Sequence, residues 1–239
     1  MANGVRSSLR KYLKETRRPI YSAALVLPFF LIYHVGSLFL GSTYINGADA
    51  LIIRLLSALS VHSMFASALV LLACFVIWQL RTRASWDISS RRLITLFGEG
   101  LLFAVLLFFI FAHFPVLQSR ALASAGTPGG LEKLVLYCGA GIYEELVFRG
   151  FLLGLLMLVS TRLMHMNKTP AAVCSSLVAA LLFSLFHYVG QAGDRFAWGT
   201  FLQRTWGGLY FSALFVTRGF GVTAAAHAFY DMLVGMLTP

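Results

Sequence analysis

Tyr143-Glu144-Glu145-Leu146-Val147-Phe148-Arg149 sets two acids and a base inside a segment, residues 131–160, otherwise built largely from Leu, Val, Phe and Gly. A hydrocarbon core of ~30 Å is crossed by about 20 helical residues, so this segment is long enough to span a membrane. Each ionisable group at the centre of such a helix costs ~2.5–3.5 kcal/mol on insertion scales, roughly 8–10 kcal/mol for the three before pairing. A trio carried at that cost points to a function or to a buried polar network.

Similar apolar runs recur along the chain. Of 239 residues, 59% are hydrophobic and 12% charged, whereas a soluble domain has about 25% charged residues. An ordinary soluble globule is excluded. Apolar windows predict spans near 19–41, 59–80, 93–118, 131–160, 170–189, 198–217 and 219–237. The expected fold is therefore all-α, a polytopic transmembrane bundle of about seven spans, with six to eight as the range. An eighth would come from residues 48–61, where Asp49 and Arg54 punctuate an amphipathic stretch that is either interfacial or a short extra span. Thr169-Pro170 reads as a helix start, and Gly126, Pro128, Gly129 and Gly130 mark a break over 123–130. The chain divides into a basic segment, 1–18, N-terminal transmembrane helices, 19–120, and a transmembrane core, 131–237.

The net charge of +10 does not indicate nucleic acid, because the basic residues cluster between apolar runs, where topology determinants sit. With seven spans, thirteen Lys and Arg residues fall on the side of the amino terminus and five on the other, Arg149 remaining within a span. That asymmetry predicts a cytoplasmic amino terminus, with the first span an uncleaved anchor. Cys74, Cys138 and Cys174 lie in apolar stretches without CxxC pairing and read as buried structural thiols.

Spacing separates the two glutamates. Glu145 and Arg149 stand at i and i+4, acid before base, the orientation in which a helical ion pair forms readily. Glu144 is left without a partner on its own helix, and a lone carboxylate in a low-dielectric site accepts a proton more readily than a solvated one. Two further spans carry matching polar groups. One ends in Phe183-Ser184-Leu185-Phe186-His187; the other holds His227-Ala228-Phe229-Tyr230-Asp231, with His227 and Asp231 on one face. His34, His62, His113 and His165 lie near span ends or without acidic neighbours and read as interfacial or structural.

A glutamate pair with arginine four residues after its second member, then Phe-x-x-x-His, then His-x-x-x-Asn/Asp, on successive helices, resembles the CPBP family. These are the type II CAAX prenyl endopeptidases with their bacteriocin-processing and immunity relatives. The resemblance covers about 131–237. It implies an intramembrane endopeptidase acting on a membrane-associated or C-terminally processed peptide or protein, with no cofactor or metal, in a bacterial inner membrane. It also implies roles: Glu144 with His187 activating water, His227 stabilising the oxyanion, and Glu145 and Arg149 as a structural or orienting pair. Asp231 stands where the eukaryotic enzymes have asparagine. It is then either protonated or, as the i, i+4 spacing favours, the carboxylate that holds His227 charged or in its correct tautomer. Two other readings stand beside this one. The acids and histidines could bind zinc in a metal-dependent protease, although His-Glu-x-x-His is absent. The chain could also be a non-enzymatic immunity protein or carrier. Expected partners are the substrate and the bilayer, with no nucleic acid; the oligomeric state is left open.

Overall fold

The computed structural model describes residues 2–41, 45–63, 65–112, 129–190 and 193–237. His113 and most of the expected break at 123–130 lie outside them. Every regular element among the described residues is helical: α1 (Ala2–Thr16), α2 (Pro19–Leu40), α3 (Gly47–Ala58), α4 (Ala66–Thr82), α5 (Ser90–Ala112), α6 (Gly130–Leu163), α7 (Lys168–Phe186), α8 (Trp198–Arg218) and α9 (Phe220–Leu237). Five of these, α2, α5, α6, α7 and α9, are long and apolar enough to cross a membrane. Helix α4 is apolar but has 17 residues, and α8 has 21 residues but carries Gln203, Arg204 and Thr205. These seven stand where about seven spans were expected, in an integral membrane protein.

Helix boundaries differ from expectation for local reasons. The span expected at 59–80 starts only at Ala66, because Leu59 caps α3 and Ser60 turns the chain at φ 65°. At 12 residues α3 is ~18 Å long, too short to span. Helix α7 begins at Lys168, so Thr169 and Pro170 lie in its first turn instead of starting it. Proline is tolerated there because first-turn N–H groups have no intrahelical acceptor. Cys138 is buried as expected, but Cys74 is half-buried and Cys174 is exposed on the outer side of α7. Cys74 lines an apolar cavity with Phe75, Leu146 and Phe215.

Between membrane helices, close approach of small residues replaces the hydrophobic drive available in water. Helix α9 applies this most fully: its run Thr223-Ala224-Ala225-Ala226-His227-Ala228 is buried throughout and packs against α2, α5, α6 and α8. A Cβ on Gly141 of α6 would lie 2.6 Å from the Ala224 carbonyl oxygen and 2.8 Å from the Ala228 nitrogen. Only glycine permits that crossing, and it sets Glu145 beside His227. Helix α6 is also unusual within itself, with wide π turns over Ala140–Glu144, Leu146–Leu153 and Val159–Leu163. Such turns are rare and are frequent at functional sites.

The antiparallel helices give the bundle two distinct ends. At one, α1 meets the starts of α4-to-α5 and α8-to-α9 connections: Arg18 donates to the Ser85 and Asp87 carbonyls and Arg17 to that of Val216. At the other, the start of α3 lies beside Phe186 at the end of α7, and the 193–197 segment folds back so that Asp194 N–H donates to the His187 carbonyl at 2.9 Å.

Candidate active site

The diglutamate lies at the first π turn of α6. Glu145 is fully buried and Arg149 is 1% exposed. An Arg149 nitrogen donates to Glu145 Oε1 at 2.9 Å, and a second donates to the Gly208 carbonyl of α8 at 3.1 Å. The guanidinium also sits 4.5 Å from the Phe183 ring centroid and 5.6 Å from that of Phe211. Here the charge is met by a carboxylate, a carbonyl and two aromatic faces, the surroundings a buried cation requires.

Glu145 has a second partner that spacing within one helix does not reveal. Its Oε1 is 2.7 Å from His227 Nδ1, and since a carboxylate accepts, Nδ1 carries the hydrogen. The His227 ring is stacked on Phe211, centroids 4.5 Å apart and 17° between planes. Its other nitrogen, Nε2, points toward Glu144 Oε2 at 3.9 Å and lies 3.6 Å from Asp231 Oδ2. The carboxylate in hydrogen-bond contact with His227 is therefore Glu145. Asp231, favoured for that contact by its i, i+4 position, stands farther off because the Glu145 oxygen comes across the α6–α9 crossing at shorter range.

The motif Phe183-x-x-x-His187 has a physical basis. His187 Nδ1 is 2.9 Å from the Phe183 carbonyl, which can only accept, so the ring hydrogen is on Nδ1 and the neutral ring's lone pair is on Nε2. That Nε2 lies 3.9 Å from Glu144 Oε2. Phe183 itself packs edge-on against His187 while its face receives Arg149. One aromatic residue thus links the ion pair to the histidine.

Glu144 is 8% exposed and is not without a partner. Asn46, immediately before α3, donates its side-chain amide to Glu144 Oε1 at 3.0 Å. The next residue back, Tyr143, shares a 2.7 Å hydrogen bond with His34, which places His34 behind the site; His62 and His165 take no contact with it among the bonds described. Sequence reading missed Asn46, Gly208 and Phe211, and took Phe183 only as the first residue of its motif, without a role. Among the described residues no group of three or more His, Cys, Asp or Glu side chains is arranged to hold a metal ion.

Fold and site together define an integral membrane protein with a buried carboxylate–histidine cluster shared by α6, α7 and α9. Residues 128–233 match the Rce1-like family model, described as type II CAAX prenyl endopeptidase Rce1-like. The resemblance read from three motifs is borne out over that segment, which contains all six residues they supplied. The match supports a protease of CAAX type, a hydrolase acting within the membrane on a substrate. No curated protein and no solved structure matches the chain.

Proposed function

We propose that the chain is a glutamate-dependent intramembrane endopeptidase. The observation that carries this reading is that Glu144 Oε2 stands 3.9 Å from Nε2 of both His187 and His227. That spacing is too long for direct hydrogen bonds and suits one water oxygen bridging the groups.

In this reaction Glu144, with His187 Nε2 as a second acceptor, orients the water and takes its proton as the oxygen attacks the scissile carbonyl carbon. His227, as imidazolium, keeps Nδ1–H on Glu145 and directs Nε2–H to the developing oxyanion. The tetrahedral intermediate collapses when Glu144 returns the proton to the amide nitrogen; the C–N bond breaks, and the new carboxyl group passes its remaining proton, by way of His187 Nε2, to the released amine, leaving a carboxylate and an ammonium. Glu145 and Arg149 orient His227, and Asp231, 24% exposed at its side chain, supports the imidazolium from the mouth of the site. The substrate is a membrane-associated or C-terminally processed peptide, and the chain sits in a bacterial inner membrane with its amino terminus in the cytoplasm. Thirteen basic residues on that side support the orientation, and it directs the His187 end outward.

The test compares membrane peptides, by mass spectrometry, from cells producing the parent chain and Glu144→Gln. A set of peptides released only by the parent is expected. Identical peptide sets from equal amounts of folded protein would instead favour a non-enzymatic role.

A further inference from the structure

We infer that Asn46, which lies outside the 128–233 match, is a positioning residue for hydrolysis: its amide turns Glu144 so that Oε2, and not Oε1, faces the two histidines. This rests on the reading of Glu144 as the base. Asn46 has φ −61° and ψ 145° at the N-cap of α3, and its Oδ1 accepts from Ala48 N–H at 2.9 Å. Because that oxygen is committed to a donor, the amide cannot be turned over, and the NH2 group must be the end that meets Glu144 Oε1 at 3.0 Å.

The cap is itself held from behind. Asn46 N–H donates to the Tyr33 hydroxyl at 3.0 Å, and that hydroxyl donates to Asp49 Oδ2 at 2.6 Å. Tyr33 and Asp49 are 1% and 3% exposed. A rigid chain of bonds therefore runs from the buried first turn of α3 to one oxygen of Glu144. A carboxylate fixed at one oxygen by a neutral donor keeps its charge and presents the other oxygen, which a base needs. Helix α3, too short to span the membrane, thereby gains a reason to be folded against the site.

Helix capping alone makes Asn, Asp and Ser nearly equivalent at this position. Positioning does not. Ser caps but does not reach Glu144, and Asp caps while turning an acceptor toward it. The experiment compares full-length parent, Asn46→Ser, Asn46→Asp and Glu144→Gln for thermal melting in detergent and for release, from isolated membranes, of the peptides that depend on Glu144. Asn46→Ser, which keeps the cap, should melt close to the parent, and Asn46→Asp, which sets a second carboxylate against Glu144, should melt lower, so release is compared per folded molecule. Release should fall roughly ten- to a hundredfold in Asn46→Ser, the range of one charge-assisted hydrogen bond, and further in Asn46→Asp. Parental release from both variants with none from Glu144→Gln would overturn the positioning role and leave the base intact. Release that falls only in proportion to the folded fraction would make Asn46 a structural residue and overturn the positioning role. Parental release from Glu144→Gln would remove the base and this inference with it.

Discussion

Among the described residues, charge is paired between helices at both ends of the bundle, and the two clusters differ in how the carboxylate oxygens are used. At the α1 end, Arg218 donates to Glu99 Oε2 at 2.7 Å, Tyr12 donates to Glu99 Oε1 at 2.6 Å, and Arg218 lies over the Tyr12 ring at 5.5 Å. Both oxygens of Glu99 are taken by direct donors. Burial, and then the bond to Glu99, push the Tyr12 phenol above its ordinary range, so it remains a donor at physiological pH. At the other end, Glu145 receives both Arg149 and His227 on one oxygen, Oε1, while Glu144 is held by Asn46 at Oε1 and turns Oε2 toward the two histidines. The closed cluster, that of Glu99, ties α1, α5 and α8 together. Paired charge is common to both, so chemistry is told from structure by an oxygen that faces two ring nitrogens, Glu144 Oε2.

Variants can break this comparison in graded ways. The largest loss of stability is expected at Glu145. Glu145→Ala should cost about 3–5 kcal/mol, more than Arg149→Ala, because it strands two donors, Arg149 and His227, where the arginine variant strands one carboxylate that keeps His227. The double variant should lose less than the sum of the two. Melting in detergent checks the order, and equal stability of Glu145→Ala and the parent would deny the pair its structural part.

Gly141→Ala forces a Cβ against α9 backbone 2.6 Å away and should cost roughly 2–3 kcal/mol, in the range for overpacking. It should also lower cleavage per folded molecule, since the displaced crossing carries Glu145 from His227. A parental rate in the folded fraction would show that the crossing is not what sets the site.

Glu99→Gln, which weakens the closed cluster without emptying it, should lower stability by about 1–3 kcal/mol and leave cleavage per folded molecule unchanged. The smallest effect concerns orientation alone. Val189 is 71% exposed two residues beyond His187, so Val189→Cys, with the three native cysteines replaced, should be labelled in intact cells by a membrane-impermeant maleimide. Labelling only after the inner face is opened would reverse the proposed topology.

What could be read from the residues follows from the range of the forces involved. Spans α2, α5, α6, α7 and α9 were legible because bilayer thickness imposes a length on an apolar run. Helix α3 was ambiguous because Asp49 looks like a surface residue, although in the folded chain it is buried against Tyr33. Glu145 with Arg149 was legible because i, i+4 neighbours on one helix need no tertiary information. The same rule set Asp231 beside His227, 3.6 Å from Nε2, but could not reveal Glu145, the nearer carboxylate that arrives from another helix. Asn46 could not be singled out from one sequence: a polar residue before a short helix reads as a cap, which it is, and its second bond exists only once α3 meets α6. The π turns of α6 were equally hidden, since Ala, Gly and Leu serve α and π turns alike.

The most direct test of the account sets Glu144→Gln beside Glu99→Gln in one preparation, measuring both melting temperature and peptide release from membranes. Glu144→Gln is expected to melt as the parent and to release none of the dependent peptides, while Glu99→Gln melts lower and releases them at the parental rate per folded molecule. Parental release from correctly folded Glu144→Gln would contradict it.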